Sequence, residues 1–146
     1  MNKRRILLFA AVFVLALASL AVLTWSGRTV SLPVDASWEA AQLAGDEMQL
    51  NRLPGHSPSG RLLKQVLCPG SKVSVRSQQT TPLTIGRACW LAYVDDMPTY
   101  DFAHTMRVLY IDVETGAIRV EKGSMFPQFR GVGPKGEPIK SRWVKF

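Results

Sequence analysis

Cysteine and histidine are scarce in this chain, with two of each among 146 residues. His56 and His104 lie far apart, and there is no Cys-x-x-Cys, so no metal-ligating or redox spacing is present. A Gly-x-Ser-x-Gly elbow, a His-Glu-x-x-His helix, a phosphate loop and a dinucleotide fingerprint are all missing. These absences remove the common signatures of hydrolases, metallopeptidases and nucleotide-dependent enzymes. We expect no catalytic residue, no cofactor and no metal site. Asp95, Asp96 and Asp101 form the densest acidic group, but they flank Pro98, where aspartate serves as a turn former, and the calcium-loop spacing is absent. An exported hydrolase is the least favoured function class, because no nucleophile–base pair is visible.

Charge is missing altogether from residues 6–25, which open on Ile6 and close on Trp25, with Ser19 and Thr24 as the only polar members. Twenty helical residues rise about 30 Å, the thickness of a bilayer core. Lys3, Arg4 and Arg5 precede the run and only Arg28 closely follows it, which leaves the N-terminus in the cytoplasm and sends the remainder across. Residues 1–28 are therefore expected to be a basic stub and transmembrane anchor, and residues 29–146 one exported domain. The expected location is the inner membrane, single-pass. The alternative is a cleaved signal, for which Ala16-Leu17-Ala18 and Ser19-Leu20-Ala21 offer small-x-small sites, leaving a secreted or periplasmic protein.

In an oxidising compartment the pair Cys68 and Cys89 most simply forms one disulfide, worth about 3 kcal/mol for a loop of this length. Three of the seven net positive charges belong to the N-terminal stub, and the exported part holds the other four. Its excess falls late: Lys122, Arg130, Lys135, Lys140, Arg142 and Lys145 face only Glu137. Phe126, Phe129, Trp143 and Phe146 are interleaved with these cations. Such a tail either packs back on the domain, the outcome favoured for Phe126, or meets a partner protein or anionic lipid. Phe126, Phe129, Arg130, Lys140, Arg142, Trp143 and Lys145 are the candidate contacts. An exported chain does not meet nucleic acid, so its basicity is not read as a nucleic-acid surface.

The expected fold class is α+β: a transmembrane helix, then one or two helices packed on a small antiparallel sheet. Trp38, Ala41, Ala44 and Met48 recur at helical spacing over residues 37–50, with Asp35 or Ser37 as the cap. Leu62, Leu63, Val66 and Leu67 suggest a second short helix over residues 61–67. From Ser71 the period becomes two, and strands are expected around Val73, Ile85, Trp90, Tyr110 and Arg119 in one sheet. Ala88-Cys89-Trp90-Leu91-Ala92-Tyr93-Val94 is apolar on both faces, as a central strand would be. Asp112-Val113-Glu114-Thr115-Gly116 supplies a tight turn, with Gly116 free to take positive φ.

A strand carrying Trp90 and Tyr93, a variable loop, and then Leu109-Tyr110-Ile111-Asp112-Val113-Glu114-Thr115-Gly116-Ala117-Ile118 resembles the PepSY domain. The resemblance covers roughly 35 residues. It implies a helix ahead of an antiparallel sheet, and a non-catalytic domain that binds or restrains a partner. The function expected is therefore a membrane-anchored accessory or binding domain acting on another envelope protein. The alternative is a structural subunit of a membrane complex.

Overall fold

The computed structural model describes residues 33–76, 81–100 and 104–146. Its elements in chain order are α1 (Ser37–Leu50), β1 (Ser59–Leu63), β2 (Lys72–Ser74), β3 (Leu83–Thr84), β4 (Cys89–Asp95), β5 (Met106–Asp112), β6 (Ile118–Gly123), β7 (Gln128–Arg130) and β8 (Trp143–Lys145). Two antiparallel sheets form, one of five strands in the order β6-β5-β4-β1-β8 and one of three in the order β3-β2-β7.

β4 and β5 explain the layering. Both are buried along almost their whole length, so the side chains that alternate up and down must find cover on each side. On one face Cys89, Leu91, Tyr93, Met106, Val108 and Tyr110 meet Val73, Val75, Ile85 and Phe129 from the small sheet and its flanks. On the other, Trp90, Ala92, Val94, Leu109 and Ile111 meet Ala40, Ala44 and Met48 of α1. The five-stranded sheet is thus the middle layer between a helix and a smaller sheet. Each fully buried leucine or isoleucine here, such as Leu91, Leu109 or Ile111, contributes about 1.5–3 kcal/mol by leaving water.

The fold class expected from the sequence is corrected. The described residues are mostly antiparallel sheet with a single 14-residue helix. No second helix forms over residues 61–67: residues 61–63 belong to β1, paired with β4 and β8, and Leu67 bridges to Cys89. Leu62 faces the helix side and Leu63 the small-sheet side, and a strand buried on both faces produces the consecutive apolar residues that imitate a helix. The strands at Val73 and Leu83 belong to the second sheet rather than to the first. The anchor expected between Ile6 and Trp25 lies outside the described residues; among the described residues no helix is long and apolar enough to cross a membrane.

The helix spans its expected residues but rotates from its expected face. Ala36 occupies the N-cap with no side-chain hydrogen bond of its own, and the Glu39 carboxylate returns to accept the Ala36 N–H at 3.1 Å. The buried stripe is Ala40, Ala44 and Met48, at a spacing of four. Trp38 stands two residues, about 200° of rotation, before Ala40 and is 49% exposed.

The C-terminus of α1 is held by Arg107 of β5. Its guanidinium donates to both Asp96 carboxylate oxygens, at 2.8 and 2.6 Å, and to the Glu47 and Met48 carbonyls at 3.3 and 3.4 Å. Carbonyls of a last helical turn lack partners within the helix; the Glu47 carbonyl takes the Asn51 N–H as well, and for the Met48 carbonyl a buried cation from the sheet supplies the donor. The leading segment is fixed at the other end, where the Trp90 indole N–H donates to the Val34 carbonyl at 2.8 Å.

The Cys68–Cys89 disulfide is also corrected: both cysteines carry free thiols. Cys89 bridges to Leu67, with hydrogen bonds of 2.8 and 3.0 Å in both directions. Leu67, not Cys68, is therefore the residue directly opposite Cys89. Leu67 joins Cys89 in the core cluster, and Cys68 does not. Pro69 and Gly70, the latter at φ 91°, then reverse the chain in a turn closed by Ser71 N–H to the Cys68 carbonyl.

Candidate functional site

The small sheet covers only part of its side of the middle layer. Beyond its margin, one row of directly paired residues runs Tyr93 on β4, Arg61 on β1 and Lys145 on β8. In the next row Leu63 pairs with Trp143. The Trp143 ring meets the Tyr93 ring edge-on at 5.1 Å, and Phe126 meets the same ring at 5.1 Å from the β6–β7 connection. Phe129 supports Trp143 from below at 6.0 Å. Edge-to-face pairs of this kind hold rings in fixed mutual positions. Arg61, Tyr93, Phe126, Pro127 and Trp143 line a shallow depression of about 230 Å³.

Charge gives this patch its character. Arg61 and Lys145 face each other across a strand pair, an arrangement that is destabilising for like charges. Neither makes an ion pair among the described residues. Burial raises the Tyr93 phenol above its ordinary range, opposed by the Arg61 charge, so the hydroxyl stays protonated at neutral pH. The patch therefore offers aromatic edges, a guanidinium, an ammonium and a phenol hydroxyl. That combination can grip an acidic or aromatic segment, but it contains no nucleophile activated by a base.

Of the contacts expected from the sequence, Phe126, Trp143 and Lys145 come together here, with Phe129 beneath them. Phe126, expected to pack, remains 59% exposed despite its ring contact with Tyr93. Arg130 sits apart on the small sheet, opposite Lys72. Lys140 and Arg142 are exposed on the segment leading into β8 and do not line the depression. Arg61 and Tyr93 are not among the contacts that the sequence suggests, although Tyr93 belongs to the stretch that resembles PepSY. No local signal marks them, because their roles arise from pairing between strands distant in the chain.

The remaining titratable groups are structural in their contacts. Asp95 accepts the Met97 N–H at 3.0 Å and lies 2.6 Å from His104 Nε2, while Asp96 is held by Arg107; Asp101 lies outside the described residues. The His56 ring lies tilted at 45° to the Tyr100 ring, 5.9 Å between centroids. Asp112 accepts the Thr115 N–H, the Glu114 N–H and the Thr115 hydroxyl within 3.0 Å, which closes the β5–β6 turn. The Thr115 N–H foremost holds the Asp112 carboxyl below its ordinary value. Burial, with the Asp112 charge second, pushes the Cys89 thiol up to about 12, which keeps it unreactive. No three metal-binding side chains cluster among the described residues.

No family model matches the chain, and neither a curated protein nor a solved structure matches it.

Proposed function

We propose that the protein is a non-catalytic binding module of the cell envelope, anchored through residues 6–25, that docks another envelope protein on the patch of Arg61, Tyr93, Phe126, Trp143 and Lys145. The observation that carries this is the cross-strand pair of cations, Arg61 and Lys145, left without an acidic partner beside an exposed aromatic ring. A partner segment bearing a carboxylate and an aromatic or aliphatic side chain would neutralise the pair and bury the rings, the combination that concentrates binding energy at interfaces. The PepSY resemblance around Trp90, Tyr93 and the β5–β6 turn points toward the same class, a domain that binds or restrains.

The test is a photoreactive phenylalanine analogue at position 126 of the full chain in native membranes, with position 135 as the control. One stoichiometric envelope protein crosslinked from position 126 and not from position 135 supports the proposal. Equal crosslinking from both positions, or no envelope protein crosslinked from position 126, overturns it and favours a structural subunit of a membrane complex.

A further inference from the structure

The outer face of the small sheet carries a second, separate constellation. Val73 and Phe129 point inward to the core, so the alternating residues Lys72, Ser74, Gln128 and Arg130 point outward. Lys72 pairs directly with Arg130 and Ser74 with Gln128, which places four donors on one small platform. None of these four side chains has a hydrogen-bond or ion-pair partner among the described residues. All four line one depression of about 460 Å³, together with Pro82 and Phe129. Lys72, Phe129 and Arg130 also border an adjoining one of about 590 Å³, walled by Gly131, Pro138 and Ile139. Among the described residues no carboxylate lines either depression.

We propose that Lys72, Ser74, Gln128 and Arg130 form a binding site for the phosphate group of a small organic phosphate ester. Two like charges held directly opposite in a short sheet oppose its pairing, and an anion between them reverses the sign of that interaction. Four donor groups (a guanidinium fork, an ammonium, a hydroxyl and an amide) suit an oxyanion with three free oxygens better than a carboxylate with two. The adjoining depressions fall within the usual volume of small-molecule sites, and Pro138 and Ile139 give the organic part an apolar wall. This site is independent of the docking patch, which uses none of the four residues.

The test is footprinting of lysine amines by acetylation and mass spectrometry on the full chain in a maltoside detergent. Glycerol 3-phosphate or inorganic phosphate at several millimolar, against chloride of equal ionic strength, should slow acetylation of Lys72 roughly fivefold, as a dissociation constant near 1 mM would give. Lys135 and Lys140 should be unaffected. Protection should disappear in Arg130→Gln and return in Arg130→Lys. An unchanged Lys72 rate, equal protection of Lys135, or protection that survives Arg130→Gln overturns the site. A third arm uses bilayer discs of phosphatidylcholine with and without phosphatidylglycerol. Protection seen only with phosphatidylglycerol would overturn the soluble ester in favour of a lipid headgroup.

Discussion

Replacing Arg107 with methionine would remove the clamp between the middle sheet and the end of α1. Its side chain and that of Asp96 are each only 11% exposed, so solvent screens the pair little. The substitution keeps the apolar stem but leaves the Asp96 carboxylate buried without its two guanidinium bonds. It also removes the guanidinium donor from the Met48 carbonyl, while the Glu47 carbonyl keeps the Asn51 N–H. Breaking a buried pair from one side costs about 3–5 kcal/mol. For a domain of this size, 3 kcal/mol lowers the unfolding temperature by at least about 10 °C. Urea unfolding followed by tryptophan fluorescence measures it, read as the shift in midpoint at constant slope. The double variant Asp96→Leu/Arg107→Met should recover most of the loss, because a buried ion pair and an apolar pair of similar volume are nearly equivalent. An Arg107→Met loss below about 1 kcal/mol, or a double variant as unstable as the two single losses added, would refute the clamp.

Other substitutions probe separate parts of the structure. Asp112→Asn should destabilise the β5–β6 turn at neutral pH. The carboxyl is held below its ordinary value in the folded state, so its contribution is complete above about pH 4 and fades as pH falls through the folded value; the variant should show a flatter acid limb in a pH series of unfolding midpoints. Cys89, whose ordinary value is 9.0 and whose folded value is about 12, should resist alkylation at pH 8 while Cys68 reacts, as mass spectrometry would show, and a reductant should leave the unfolding temperature unchanged. Because that thiol is raised on folding, stability should also decline as pH climbs from about 9 toward 12, less so in Cys89→Ser. Gly123→Ala would place a methyl carbon 2.9 Å from the Val75 carbonyl oxygen, a backbone atom that cannot swing aside, and should cost about 1–3 kcal/mol in urea unfolding.

Local pattern carried the strands whose signal is local. The apolar run from Ala88 to Val94 announces a strand covered on both faces, and β4 is the middle strand of five. The Asp112–Gly116 turn is written in its residues, with Gly116 at φ 67° and Asp112 closing the turn. The errors share a cause. β1 reads as a helix in the sequence because burial on both faces removes the period-two signature. The cysteine pairing failed by one residue, since register is set by partner strands and spacing along the chain does not encode it. The cationic pairs Arg61–Lys145 and Lys72–Arg130 join residues distant in sequence, so the patch around Tyr93 is legible in the sequence only as its aromatic and basic tail half.

The most direct measurement compares co-purification from native membranes by the tagged full chain and by its Arg61→Glu/Lys145→Glu variant, quantified by mass spectrometry. Both residues are exposed and unpaired among the described residues, so the variant should fold with an unchanged unfolding temperature. If the patch docks an acidic segment of an envelope protein, one partner present in stoichiometric amount with the parent chain should fall at least about tenfold with the variant, as a loss of 1.4 kcal/mol would produce. Equal recovery of that partner by both chains would contradict the assignment of the patch as the docking surface.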